Sequence, residues 1–526
     1  MSLPRFLSRI VDATAPALGG LDRRAVEAKL EQTSVRLIAG EAATAGASRA
    51  GFLLVANLAA RLYPQIALAG PEELVTAAET EVGLINPQAE VARGKAGANR
   101  ATATLLYEET SGEEHAVSVF ARGWNLYVDT VPHADAVPAP LAGLLAGVLG
   151  VSELFRVIFA SELGGRGRRG HQPGAFNLVT LGEPTSLAVP ARVEIGKVRL
   201  VGAGAIGQAT AHALAVSEAR GTLLAIDPEP VALSNLQRYV LTRDSDVGVS
   251  KVDLLQERLD GSGLDVSPIS TEWDSGLVDG QLPTLVALDS PEARLGVQAS
   301  LPGPVYNAWT QPADVGWSRH ERFGDEPCLA CLYWPDRERP SRHEQIASAF
   351  QQHPLRVLSY LVHRLPIGLP LPAGGIPSLP DLPTPPDAEA WLHTPLMEDI
   401  AAAAGVDGVE LEAWRDRPLA DVYQEGICGG ALLHLTVGEA PSEVLVPLAH
   451  QSAFAGVMLA AELVVALVPE LKAQRPPAVE ARYDALAGLP QVMPRPRERT
   501  TGCLCGDAVF RDVYREKVGL GGGGVT

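Results

Sequence analysis

Short apolar runs alternate along the chain with longer amphipathic or alanine-rich segments, the rhythm of strands and helices in an α/β protein. The most regular instance is Val198 to Lys251, VRLVGAGAIGQATAHALAVSEARGTLLAIDPEPVALSNLQRYVLTRDSDVGVSK. Its order predicts a strand, a glycine-rich turn, a helix and a second parallel strand that ends on an acid. An earlier stretch repeats that order. SVRLIAGEAATAGASRAGFLLVANLAARLYPQIALAGPEE opens on VRLIAGE, close to VRLVGAG, runs into a helical segment from about Ser48 to Leu62 and closes on QIALAG. No SNLQR or DVGVSK equivalent follows, so residues 22–130 are expected to be a degenerate copy that keeps the Rossmann fold and has lost the nucleotide site.

Elsewhere the pattern predicts helices around Leu141 to Leu163 and from Phe454, both strongly apolar. Glu153 and Glu462 interrupt them, which argues for core helices and against membrane spans. Further helical segments, around Arg342 to Leu361 and Met397 to Trp414, flank HRLPIGLPLPAGGIPSLPDLPTPPDAEAW. So many prolines exclude helix or central strand there and predict an extended connection or surface loop. The terminal GLGGGGVT is expected to be flexible.

Length changes the picture: 526 residues exceed one hydrophobic core, so two or more domains are expected. A net charge of -19 argues against nucleic acid or an anionic membrane as a partner. The start, MSLPRFLSRIVDATAP, lacks the apolar core and cleavage site of a signal peptide. Four of the five cysteines form two close pairs, Cys328 with Cys331 and Cys503 with Cys505. That usage suits a metal site in a reducing compartment better than a disulfide framework, and a cytoplasmic location is expected. Two such pairs brought together can supply the four thiolates of a structural Zn²⁺ site, four free thiols being the alternative.

The candidate chemistry starts at the glycine turn. Gly202 permits the tight turn, Gly204 lets the backbone approach a ligand, and Gly207 lets helix and strand pack closely, while Asp227 can accept from ribose hydroxyls. An NAD-binding domain would share these features. Asn235 and Arg238 in SNLQR, Lys251 closing DVGVSK, and Asp289 ending LPTLVALD are more specific. Two cations and a spare carboxylate suit a triphosphate with Mg²⁺, which needs charge neutralisation and oxygen ligands.

These residues together resemble the adenylation domain of the ThiF/MoeB and ubiquitin-activating enzyme superfamily: Gly202, Gly204 and Gly207, Asp227 and Glu229, Asn235 and Arg238, Asp246 to Lys251, and Asp289 with Arg294. Tyr239 departs from the pattern, which commonly has Gln there. The resemblance implies ATP bound on these residues, Mg²⁺ held through Asp289, and an inactive half, 1–187, fused to an active half, 188–526. Such a pseudo-dimer is similar to eukaryotic ubiquitin-activating enzymes, whereas simpler sulfur-carrier activators are homodimers; pairing of this chain with a second copy stays open. It also implies that an arginine of the inactive half reaches the phosphates, with Arg9, Arg23, Arg24, Arg166, Arg168 and Arg169 as candidates.

The family has C-x-x-C at both zinc positions, and the second pair here is the tighter C-x-C. The interval of about 332–448 corresponds to the family's crossover loop and catalytic-cysteine region. Cys428, in VYQEGICGGALLHL, matches the thioester cysteine in order and surroundings, and its glycine neighbours leave the sulfur accessible. A buried structural cysteine is the other reading. The implied activity is ATP-dependent adenylation of a ubiquitin-like protein's C-terminal tail, then thioester formation and transfer to a conjugating enzyme. Arg238, Lys251, Asp289 and Cys428 would be the catalytic residues. The alanine-, arginine- and proline-heavy composition fits a bacterial source. The alternatives are a sulfur-carrier adenylyltransferase of cofactor synthesis and an NAD-binding dehydrogenase.

Overall fold

In the computed structural model the chain is described except for residues 1–5, 7–9, 12, 16–17, 19–22, 95–100, 114, 133–135, 278–281, 312–313, 334–341, 363, 372–393, 405–408, 427–446, 487, 490–492 and 519–526. It divides into two compact units, Met1–Trp334 with Pro447–Thr526, and Pro335–Val446.

The larger unit holds two sheets of one design. The first is built from β1 (Ser34–Ala39), β2 (Gln65–Ala69), β3 (Glu90–Arg93), β4 (Ala103–Tyr107), β5 (Ala116–Arg122), β6 (Asn125–Val128) and β7 (Gly174–Asn177), in the order β3-β2-β1-β4-β5-β6-β7. Pairing is parallel from β3 to β5 and antiparallel from β5 to β7. The second sheet takes β8 (Glu194–Val201), β9 (Arg220–Ile226), β10 (Leu264–Ile269), β11 (Thr284–Val286), β12 (Val305–Thr310), β13 (Asp314–His320), β14 (Glu480–Asp484) and β15 (Met493–Arg495), in the order β10-β9-β8-β11-β12-β13-β14-β15. Its parallel and antiparallel pairs fall at the matching places, with β15 added at the edge. The two Rossmann-like halves read from the repeated strand, turn and helix are therefore present.

The halves differ where the chemistry would sit. In the second, 24 residues, Asp227 to Ser250, separate β9 from the helix Lys251–Leu259. In the first, β2 passes to the helix Glu72–Ile85 through Gly70 and Pro71 alone. The segment that carries Asn235 and Arg238 has no counterpart between β2 and that helix.

Each half is centred on one long apolar helix, Pro140–Ile158 between β6 and β7 and Ala449–Leu467 between β13 and β14. Both are long and apolar enough to cross a membrane, yet the apolar stretch of each is almost wholly buried inside the protein. Glycines let each lie against its neighbour. A side chain at Gly147 would meet the Gly51 carbonyl oxygen at 2.5 Å, and one at Gly456 would strike Ala209 and the Ile206 carbonyl. The acids that interrupt them are neutralised in place: Glu153 by Arg156 and Arg168, Glu462 by Arg475. Arg475 also donates to the carbonyls of Leu178 and Val179 in the first half, at 2.7 and 2.9 Å. In the other direction Ser152 donates to the carbonyl of Ala485 at 2.9 Å.

The smaller unit is helical in its described part, with Arg342–Ala349, Pro354–Val362, Leu396–Ala404 and Leu419–Gly426 around Phe350, Tyr360, Ile400 and Trp414. Arg356 is buried there and ion-paired with Asp399. The proline-rich connection falls largely on 372–393, outside the described residues, as does most of the strand-like Glu443 to Leu448.

Candidate functional site

Strand β8 ends at Val201 and is flanked by two parallel strands, β9 on one side and β11 on the other, so the chain beyond Val201 faces the switch point where open α/β sheets hold ligands. Gly202 has φ +95°, and a Cβ there would lie 2.6 Å from the carbonyl oxygen of Ala287, in the segment that leaves β11. Only glycine meets both demands. A side chain at Gly207 would run into the Gly202 carbonyl. The helix Ala205–Val216 is capped by Gly204 with no side-chain bond, so its first N–H groups and its positive end are left for an anion.

Asp227 follows β9 directly and is nearly buried. Its Oδ2 accepts from the N–H of Ala203 at 2.8 Å and its Oδ1 from Glu229 at 2.9 Å, which ties the acid to the turn. Burial pushes its carboxyl above the usual carboxylate range, with Lys251 and those two N–H groups acting against the shift. Lys251 starts its helix, ion-pairs with Glu229, and has its Nζ 3.8 Å from Asp227 Oδ1. Burial opposes its charge, but Tyr239, Asp227 and Glu229 prevail and hold its pKa above the usual lysine range.

Between them runs the SNLQR segment, a 3₁₀ turn over Leu233–Gln237 closed by Asn235 Oδ1 accepting from Ala232 N–H at 2.8 Å. Arg238 has a buried Nη1 with no hydrogen-bond partner among the described residues. A buried, unpaired guanidinium N–H is expensive and is expected where a ligand oxygen belongs. Tyr239, the departure from the family pattern, proves central. Its hydroxyl is 3.2 Å from where a Gly204 Cβ would stand, and its ring has Lys251 Nζ at 5.5 Å and the Arg238 guanidinium at 5.8 Å. Gln208, fully buried on the helix, accepts from Leu241 N–H at 3.1 Å and donates to Thr242 Oγ1 at 3.0 Å.

Asp289 lies beyond β11 and is exposed. The neighbouring Leu288 touches the Gly202 position, and Ser290 caps the helix Pro291–Ala299 by accepting from Ala293 N–H at 3.1 Å. Arg294 braces this loop: it donates to the Leu288 carbonyl, to Ala308 at 3.1 Å and to the Tyr333 hydroxyl at 2.8 Å. Asp246 of DVGVSK accepts from Arg243 N–H at 2.7 Å and pairs with Arg258, so it shapes the segment.

The cysteine pairs converge. All four sulfurs of Cys328, Cys331, Cys503 and Cys505 lie within 4.8 Å of one another and are buried. The Cys328–Cys503 and Cys331–Cys505 separations of 3.6 and 3.5 Å approach the roughly 3.8 Å edge of a tetrahedral zinc–thiolate site. The tighter C-x-C spacing thus still brings both sulfurs into the cluster. Hydrogen bonding with Cys328 pulls the Cys505 thiol below the ordinary thiol range. The donor set fits a closed structural metal site.

Cys428 and Arg9 lie outside the described residues. Among the other arginine candidates, Arg168 is buried against Asp129 and Glu153, Arg166 lies 3.9 Å from Asp484, and Arg24 and Arg169 are exposed. Arg61 of the helix Gly46–Ala60 and its C-cap is the arginine of the first half found on the second half's site segment. It is fully buried, and its Nη atoms donate to the carbonyls of Leu236 and, at 2.8 Å, Thr242. The sequence signal for it was Asn57 and Arg61, a polar pair one helical turn apart in an otherwise apolar stretch.

Among known proteins, the ThiF family pattern matches residues 187–276. An uncharacterized protein, y4jF, of Sinorhizobium fredii (strain NBRC 101917 / NGR234) is 30% identical over 544 residues, covering 99% of this chain and 98% of that protein. Among solved structures, selenomethionine PaaA is 27% identical over 23% of this chain and 40% of its own, less than half its length, with a TM-score of 0.20. Escherichia coli MccB with MccA-N7isoASN is 14% identical over 59% of this chain and 67% of its own, with a TM-score of 0.32.

Proposed function

The chain belongs to the ThiF/MoeB/E1-like superfamily of adenylating enzymes, and on that premise we propose that it activates the C-terminal carboxylate of a ubiquitin-like protein with ATP and captures the acyl group on Cys428. The observation that carries the first step is the unpartnered, buried Arg238 Nη1 beside Lys251 and the uncapped start of the helix Ala205–Val216. The Arg238 guanidinium and Lys251 Nζ both lie against the Tyr239 ring, whose hydroxyl reaches the Gly204 position at the start of that helix, and a polyphosphate calls for such a gathering of positive charge.

In this reading ATP lies with its phosphates on the Gly202–Gly207 turn and its ribose on Asp227. A carboxylate oxygen of the partner's terminal residue attacks the α-phosphorus, and pyrophosphate leaves. Asn235, Arg238 and Lys251 stabilise the charge on the phosphoryl oxygens, catalysis mainly by positioning and electrostatics. Asp289, exposed beside the turn, is the carboxylate free to hold Mg²⁺, which neutralises phosphate charge when bound. The Cys428 thiolate then attacks the acyl carbonyl, AMP leaves, and the thioester is passed to a conjugating enzyme. Zn²⁺ on the four-cysteine cluster would staple the fold and take no part in the chemistry.

Incubation with ATP, Mg²⁺ and a ubiquitin-like protein, resolved on a non-reducing gel, tests both steps. A thiol-sensitive band is expected in wild type and absent in Cys428→Ala, which still exchanges pyrophosphate into ATP. Asp289→Ala is expected to abolish exchange. A band that persists in Cys428→Ala moves the nucleophile elsewhere, and wild-type protein without exchange ends the adenylation reading.

A further inference from the structure

The first half has lost its nucleotide segment but keeps a fully buried guanidinium that ends on the second half's site segment. Arg61 donates to the Leu236 carbonyl and, at 2.8 Å, to Thr242; its Nε donates to Asn57 Oδ1 at 3.0 Å. Asn57 in turn donates to the Val240 carbonyl and to Glu81, both at 2.8 Å. Three carbonyls of the stretch 236–242 are thereby satisfied from the other half. The stretch belongs to no sheet and only to a short 3₁₀ turn, so without those donors its buried carbonyls would be left unpaired. Gln208 holds the same stretch from the opposite side, through Leu241 N–H at 3.1 Å. Arg238 and Tyr239 lie between these anchors.

We infer that Arg61, supported by Asn57, is a positioning residue of the second half's nucleotide site: it fixes the backbone of 236–242 so that the Arg238 guanidinium faces the phosphate turn. The inference rests on the adenylation reading for its kinetic consequence and on geometry alone for its structural one. The inactive half then serves as a template for the active one. Arg61 touches no substrate. Its effect therefore falls on turnover, because the Gly202–Gly207 turn and Asp227, which hold the nucleotide, are anchored independently.

The test uses the full chain. Arg61→Met keeps the volume and removes every donor; Arg61→Lys keeps the charge and one donor; Ser152→Ala cuts a different bond between the halves and serves as the control. Hydrogen exchange should show lost protection confined to 235–242 in Arg61→Met, a smaller loss in Arg61→Lys, and none in Ser152→Ala. Pyrophosphate exchange should lose roughly 10–100-fold in kcat in Arg61→Met, with KM for ATP within about 3-fold of wild type. Partial recovery is expected in Arg61→Lys. In an Arg238→Met background, adding Arg61→Met should cost nothing more, because both act through one guanidinium. Should Arg61→Met not fold, Asn57→Ala, which removes the Val240, Glu81 and Arg61 contacts, carries the same readouts. Unchanged protection and kcat, or losses that multiply in the double variant, overturn the inference. Absence of exchange in wild type overturns the adenylation reading, and hydrogen exchange still decides the positioning claim.

Discussion

Two kinds of buried polar side chain coexist at the residue scale. Arg294 and Asp246 have their main hydrogen-bonding groups answered by the protein and act as braces, while Arg238, against the Tyr239 ring, keeps a buried Nη1 unanswered among the described residues. The family motif contains all three, and nothing in their spacing separates brace from ligand. His450 belongs to a third kind. It is buried near the start of the helix Ala449–Leu467 against Phe155, with neither ring nitrogen hydrogen-bonded among the described residues, and burial lowers it to about 3. The fold therefore favours the neutral ring. The associated stability is intact above the ordinary histidine pKa and is lost as pH falls toward 3, at about 1.4 kcal/mol per pH unit for one proton. Acid unfolding followed by circular dichroism should show a shallower slope in His450→Leu than in wild type. An unchanged slope would mean that the imidazole titrates alike in the folded and unfolded states.

Elements tell a different story, in which position outweighs composition. The helices Pro140–Ile158 and Ala449–Leu467 occupy matching places in the two halves, and Glu153 and Glu462 stand at the same position counted from each helix start. Sequence comparison found the repeated strand, turn and helix because VRLIAGE and VRLVGAG share local chemistry. It missed the helix pair, since apolar helices of similar length look alike everywhere and a long insertion precedes the second. Their glycines are the sensitive points. Gly456→Ala would push a methyl into Ala209 and the Ile206 carbonyl, and overpacking of that kind costs about 2 kcal/mol. Denaturant titration should show the unfolding free energy lowered by that amount, while Gly83→Ala, with nothing near its Cβ, should leave it unchanged or slightly raised.

For the whole molecule, the cysteine cluster is a long-range constraint, joining residues 175 apart in sequence. If it holds Zn²⁺, the purified chain should contain one ion by mass spectrometry, and Cys503→Ser should lower both metal content and melting temperature without altering the Cys428 nucleophile. A chain with no metal and unchanged melting would return the cluster to four free thiols. The sequence alone determined what adjacent residues can settle: the α/β alternation, the glycine turn and its acid, the cations after it, the cysteine spacing and the absence of a second nucleotide segment. Local sterics and hydrogen-bonding capacity fix those within a few residues. The sequence also anticipated that the two cysteine pairs meet, whereas tertiary structure alone decided other distant pairings: Glu462 with Arg475, and Arg61 with the carbonyls of the other half. Such pairings depend on how two separately formed sheets close on each other, and no local pattern encodes the partner of a buried charge.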